Sequence, residues 1–184
     1  MLPPGSTIGI LGGGQLGRML TTEAHRLGFR TAVLTDRAGS SAAQVADDCV
    51  IGALDNIAAA TDLAERCAVV TAETEHIHPD VLDAMDARDL MRPRGAVIKC
   101  IQDRLTQKDF LSRHGFAQTP YIAIGSAADC RDADAFPYPA VLKTRRAGYD
   151  GKGQTRVRAA DDLAAAWQRP GAPPADLEAL GGYP

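Results

Sequence analysis

Leu142-Lys143-Thr144-Arg145-Arg146-Ala147-Gly148-Tyr149-Asp150-Gly151-Lys152-Gly153-Gln154 says more about this chain than any other stretch. The run Tyr138-Pro139-Ala140-Val141-Leu142 before it predicts a strand that delivers Lys143. The alternating Thr155-Arg156-Val157-Arg158 after it predicts a second strand. Between them, Gly148, Gly151 and Gly153 stand among the cationic Arg145, Arg146 and Lys152. Glycine lets a backbone approach oxygen atoms closely and take positive φ. Ammonium and N–H groups supply the charge opposite to phosphate. Strand, cationic glycine loop, strand is how a sheet builds a flap over phosphates. The phosphate loop G-x-x-x-x-G-K-[ST] is a different device, because it leads into a helix. A basic hairpin turn is the plainer alternative, but hairpin loops usually have about two to five residues and this one is longer.

Toward the N-terminus, strands and helices alternate. Thr7–Leu11 predicts a buried strand, Gln15–Leu27 a helix stopped by Gly28, and Thr31–Thr35 the next strand. Cys49–Ile51, Ala68–Thr71 and Leu90-Met91 predict further strands. Asn56 is placed to cap a helix reaching about Arg66, and Pro79 opens another helix, Asp80–Ala87. This is βαβ repetition, so residues 1–92 are expected to form an α/β, Rossmann-like domain with a parallel sheet. Residues 93–168 are expected to form a second domain. It has helices at Arg94–Ile101 and Arg104–Arg113, a strand at Thr119–Ile124 and a weak helix at Asp129–Ala135. The flap strands and a helix at Ala160–Gln168 complete it. Pro170, Gly171, Pro173, Pro174, Gly181, Gly182 and Pro184 make residues 169–184 read as a linker.

The chain has 184 residues, 45% hydrophobic and 23% charged, with net charge −3. That supports a buried core and argues against nucleic acid as a partner, which calls for a basic surplus. No apolar run approaches the ~18 residues of a membrane span, and Met1-Leu2-Pro3-Pro4-Gly5-Ser6 does not read as a signal peptide. Cys49, Cys67, Cys100 and Cys130 are far apart, as expected of free thiols in a reducing cytoplasm.

Two more constellations carry chemistry. Gly12, Gly14 and Gly17 fit G-x-G-x-x-G at the opening of the first helix, and Asp36 ends the second strand about 20 residues on. That pattern suits a dinucleotide, a mononucleotide or sugar phosphate at the helix N-terminus, or tight packing alone. Thr71-Ala72-Glu73-Thr74-Glu75-His76-Ile77-His78 follows the fourth strand. If extended, it points Glu73 and Glu75 to one side, at the carboxyl edge where open sheets bind ligands. The carboxylates would suit ribose hydroxyls or a substrate amine. A solvated acidic turn and a metal site with His76 and His78 are the alternatives.

Together, Gly12–Met19, Thr71–His76, Gln102–Arg104 with Lys108, and Lys143–Gln154 resemble the N5-carboxyaminoimidazole ribonucleotide synthase family of the ATP-grasp superfamily. The resemblance implies a Rossmann-like pre-ATP-grasp domain followed by the first, incomplete half of an ATP-grasp domain. It implies a cytoplasmic ligase, homodimeric at full length, with ATP and Mg2+ as cofactors. The ligase joins bicarbonate to 5-aminoimidazole ribonucleotide. It assigns Arg104, Lys143, Gly148, Tyr149, Asp150, Gly151, Lys152, Gly153 and Gln154 to ATP. Gly14, Gln15, Leu16, Glu73 and Glu75 go to the ribonucleotide. No catalytic residue is assigned, and the magnesium ligands are expected beyond Pro184. So is the strand that binds adenine, which makes this chain an expected inactive N-terminal fragment. Ala72, Thr74 and Ala147 depart from the family pattern; Ala147 replaces a flap glycine. Alternatives are a related ligase such as formate-dependent glycinamide ribonucleotide transformylase, an NAD-dependent oxidoreductase, or a non-catalytic nucleotide-binding remnant.

Overall fold

A computed structural model describes residues 1–148, 151–168 and 171–180. The chain divides into two compact units, Met1–Lys99 and Cys100–Pro184.

In the first unit, β1 (Thr7–Leu11), β2 (Arg30–Thr35), β3 (Asp48–Ile51) and β4 (Val69–Ala72) form a sheet in the order β3-β2-β1-β4. Every pairing is parallel. Helices α1 (Gln15–Arg26), α2 (Ile57–Glu65) and α3 (Pro79–Ala87) link or follow the strands. Asn56 caps α2 by accepting the Ala59 N–H, so the cap legible in the sequence forms. Leu90-Met91, expected as a strand, contributes one parallel bridge, Val70–Met91.

The larger core packs Leu11, Leu34, Leu63, Val70, Leu82 and Met85. The smaller one contains Ile10, Val33 and Ala42. Helix α1 buries only Gly17, Thr21 and Ala24. A Cβ at Gly17 would lie 3.0 Å from the Gly12 carbonyl oxygen, so the helix approaches its own turn too closely for a side chain there.

Helix α4 (Gly95–Ile101) is why the division falls later than the 92/93 boundary expected from the sequence. Its Gly95 N–H bonds Asp86 at 2.9 Å, and Ile98 joins the core of the first unit.

The second unit has an antiparallel sheet ordered β5-β8-β6-β7. Its strands are β5 (Tyr121–Ile124), β6 (Ala140–Thr144), β7 (Gln154–Val157) and β8 (Ala175–Ala179). Helices α5 (Arg104–Arg113), α6 (Ala127–Asp132) and α7 (Leu163–Gln168) accompany it. Ser126 and Asp129 form a capping box on α6, and Ala160–Asp162, expected as the start of α7, is a 3-10 turn. The core packs Ile124, Ala140, Leu142, Val157, Leu163, Ala175 and Leu177.

Residues 169–184, expected to be a linker, instead contain β8. It is buried throughout and lies between β5 and β6. Arg169, Pro170 and residues 181–184 are outside the described residues. The physical reason is alternation: Ala175, Leu177 and Ala179 face the apolar side while Asp176 and Glu178 face the other. Prolines and glycines on both flanks mask that period-two signal.

Candidate functional site

The first unit has a crevice at the carboxyl ends of its strands. Strand order reverses between β1 and β4, which opens a gap above their ends. Gly12–Gly14 leave β1 there and Glu73 leaves β4. The Glu73 N–H extends the ladder to the Leu11 carbonyl at 3.1 Å, which sets the side chain beside the glycine turn. Its Oε1 accepts the Gly14 N–H at 3.1 Å and its Oε2 accepts the Gly17 N–H at 3.2 Å. The amides that a phosphate would use at the start of α1 therefore already hold an internal carboxylate.

A cavity of about 410 Å3 lies beside this turn, lined by Gly12, Gly14, Thr35, Asp36, Arg37 and Glu73 among others. Gly14 and Glu73 thus come together. Gln15 and Leu16 are exposed (Leu16 by 60%) and are not in the lining. The chain bends at Glu73 and Glu75, so the extended geometry expected to set both on one side is not formed. Glu75 lies outside the lining, 3.7 Å from His76 Nε2.

The second unit concentrates charge on the polar face of its sheet. Asp103 caps α5 by accepting the Thr106 N–H at 3.1 Å. Arg104 and Lys108, four apart on α5, share a helix face and both reach Glu178 of β8. Lys143 of β6 reaches the same carboxylate, Nζ to Oε2 2.9 Å, and Lys108 Nζ stands 3.4 Å from it. Arg104 Nε is 3.4 Å from Asp176 Oδ1. Burial tends to raise the Glu178 carboxyl, but the neighbouring Asp176 and the hydrogen bonds from Lys143 and Arg104 outweigh it and bring it to about 2. Burial, reinforced by Glu178, pushes Asp176 up to about 7.

Lys143 also roots the flap. It pairs with Gln154 across the β6–β7 hairpin, and the Thr144 N–H bonds the Gly153 carbonyl at 2.8 Å. Gly151 and Gly153 have φ of 80° and 70°. Gly148, Gly151, Lys152, Gly153 and Gln154 are exposed, while Tyr149 and Asp150 lie outside the described residues. Arg145 is tied to Asp103 at 2.8 Å, and Arg146, more exposed, is 3.4 Å from it. Burial tends to raise Asp103, but the Thr106 N–H and Arg145 hold it below its ordinary value.

Arg104 and Lys143 are expected in this cluster from the sequence; Lys108, Asp176, Glu178 and Asp103 join them only in the folded chain. The i, i+4 spacing of Arg104 and Lys108 and the acid alternation in β8 carried the signal.

A parallel α/β unit followed by an antiparallel sheet with a glycine flap and a root lysine defines a pre-ATP-grasp domain joined to an ATP-grasp domain. The ribonucleotide synthetase preATP-grasp domain family matches residues 5–102, and the ATP-grasp domain family matches residues 109–178. The chain belongs to the ribonucleotide synthetase pre-ATP-grasp family. It is 41% identical over 165 residues to N5-carboxyaminoimidazole ribonucleotide synthase of Brucella melitensis, covering 89% of this chain and 46% of that protein. An ADP complex of N5-carboxyaminoimidazole ribonucleotide synthetase superposes with a TM-score of 0.92 at 35% identity, over 100% of this chain and 49% of that one. The Aspergillus clavatus synthase with ADP and 5-aminoimidazole ribonucleotide gives 0.83 at 29% identity, over 97% and 47%. The chain therefore spans about half the length of the relatives it matches.

Proposed function

We propose that the polar face of the second unit is an adenine-nucleotide site. We also propose that the whole protein is a ligase that uses ATP to join bicarbonate to 5-aminoimidazole ribonucleotide, giving the N5-carboxylated ribonucleotide, ADP and phosphate. The observation that carries this reading is the convergence of Arg104, Lys108 and Lys143 on one carboxylate at the root of a glycine flap. Nucleotide phosphates would replace that carboxylate as the counter-charge. The Aspergillus relative, bound to ADP and 5-aminoimidazole ribonucleotide, supports the choice of ligands.

In this reading bicarbonate attacks the γ-phosphorus, the bond to the ADP oxygen breaks, and the carboxyphosphate formed delivers its carboxyl group to the exocyclic amine. Phosphoryl transfer needs positioning and charge stabilisation more than covalent help. Arg104 and Lys143 hold phosphate oxygens, and the Gly148–Gln154 loop, with Lys152 as its cation, closes over them to exclude water. In the first unit, Gly14 and Glu73 line the crevice assigned to the ribonucleotide, with Gln15, Leu16 and Glu75 at its margin.

Among the described residues no group of three acidic, histidine or cysteine side chains is placed to hold a metal ion. Asp176 and Glu178 are engaged with cations. The described residues therefore do not by themselves fit a magnesium ion. No helix among the described residues is long and apolar enough to cross a membrane. Cytoplasmic location and homodimerisation belong to this reading of the whole protein.

The test is ADP release in the protein at its relatives' full length. Release should require both bicarbonate and 5-aminoimidazole ribonucleotide and fall at least tenfold in Lys143→Ala. Residues 1–184 alone should show no turnover. ADP release supported by formate and glycinamide ribonucleotide instead would replace this reading with the transformylase.

A further inference from the structure

Arg104, Lys108 and Lys143 have roles in the nucleotide site, but Asp176 has none. Its side chain is fully buried on the polar face of β8. Neither carboxylate oxygen accepts a hydrogen bond among the described residues, and Arg104 Nε, 3.4 Å away, donates none. Its register partners are Lys143 on β6 and Ala123 on β5. A carboxylate in such a place is strongly disfavoured unless cations surround it. Here Arg104 and Lys143 are beside it, and they are the same cations assigned to the nucleotide phosphates.

We propose that Asp176 sets the affinity of the nucleotide site, as a buried counter-charge behind the phosphate-binding cations whose ionisation competes with bound phosphate for Arg104 and Lys143. This rests on the nucleotide reading above. Arg104 from α5 stands 3.4 Å from it and Lys143 from β6 is its register partner, while Glu178, two residues on along β8, draws in Arg104, Lys143 and also Lys108. On β5, Tyr121 lies under Lys108, its ring centroid 5.1 Å from Nζ, and its hydroxyl bonds Asp109. Asp103 is occupied by Arg145 and Arg146.

With Asp176 neutral, three cations face the single carboxylate of Glu178; with Asp176 ionised, they face two. Phosphate oxygens therefore meet more uncompensated positive charge when Asp176 carries its proton. Burial places that change at about pH 7, inside the working range of an enzyme. By linkage, bound phosphate must in turn raise the pH at which Asp176 ionises.

The test is an ADP titration of residues 1–184 and of Asp176→Asn, followed by NMR from about pH 6 to 8.5. The ionisation of ADP is common to both proteins and cancels in the ratio of their dissociation constants. Wild type and variant should bind alike at pH 6. By pH 8.5 the variant should bind at least fivefold more tightly. A ratio that stays constant with pH, or a variant weaker throughout, overturns the proposal. ADP binding absent from both proteins at every pH overturns the nucleotide reading and this proposal with it.

Infrared spectroscopy of the unmodified protein checks the point even where the variant does not fold. A buried carboxylic-acid band should be present at pH 6, fade near pH 7, and persist to higher pH with ADP. No such band at pH 6, or one that ADP does not move, overturns the proposal.

Discussion

Glu73 is held by Gly14: the carboxylate Oε1 accepts the glycine N–H at 3.1 Å, across the gap between β4 and β1. The first turn of α1 thus carries its own anion. Truncation as Glu73→Ala leaves the Gly14 and Gly17 amides without that acceptor. Charge-assisted hydrogen bonds contribute about 1.5–3 kcal/mol each at most, and partial exposure favours the lower end. The first unit should lose about 1–2 kcal/mol in urea unfolding, and Glu73→Gln, which keeps an acceptor, should lose less. Equal stability in all three proteins would show that the contact contributes nothing.

Backbone conformation separates two small-residue positions. Gly12 has φ 114°, and a Cβ there would collide with the Glu73 side chain. Gly12→Ala should destabilise the first unit by about 1–3 kcal/mol. Ala147 is the opposite case, a residue with a Cβ held at φ 59° in the flap. Ala147→Gly should leave stability unchanged or raise it by up to about 1 kcal/mol, because relieved strain offsets the extra freedom of the unfolded chain. Thermal unfolding of both variants checks this; a stabilised Gly12→Ala would contradict it.

The buried acids give stability opposite pH dependences. The Asp176 carboxyl is raised from 3.8 to about 7 in the folded chain, so the folded state binds more protons in between. Its contribution is fully present below about pH 4 and is lost as pH rises to 7. Glu178 is lowered from 4.5 to about 2, so its contribution is present above about pH 4.5 and lost as pH falls toward 2. The only tryptophan, Trp167, lies in the second unit and reports its unfolding. Wild-type stability should fall relative to Asp176→Asn between about pH 4 and 7. Parallel curves would remove the raised Asp176 from the account.

The parallel unit was legible because each local signal agreed with the fold. The Asn56 cap, Pro79 at a helix start and the glycine turn after β1 all form. Strand β8 was hidden because its flanks look like a linker. Its acids also read as surface residues until Arg104, Lys108 and Lys143 are brought to them from elsewhere in the chain. Glu75 shows where alternation stops informing: the pattern sets it on the side of Glu73 only in an extended chain, and the backbone bends at both residues.

The central claim is that Arg104, Lys108 and Lys143 form a nucleotide site on the β6–β8 face. The most direct measurement is an NMR titration of residues 1–184 with ADP and, separately, with NAD. ADP should shift the resonances of Arg104, Lys108, Lys143 and Glu178. Lys143→Ala should weaken its binding by at least tenfold, the loss expected of about 1.5–3 kcal/mol from one charge-assisted contact. Shifts produced by NAD at Gly12–Asp36, with none from ADP around Lys143, would contradict the account.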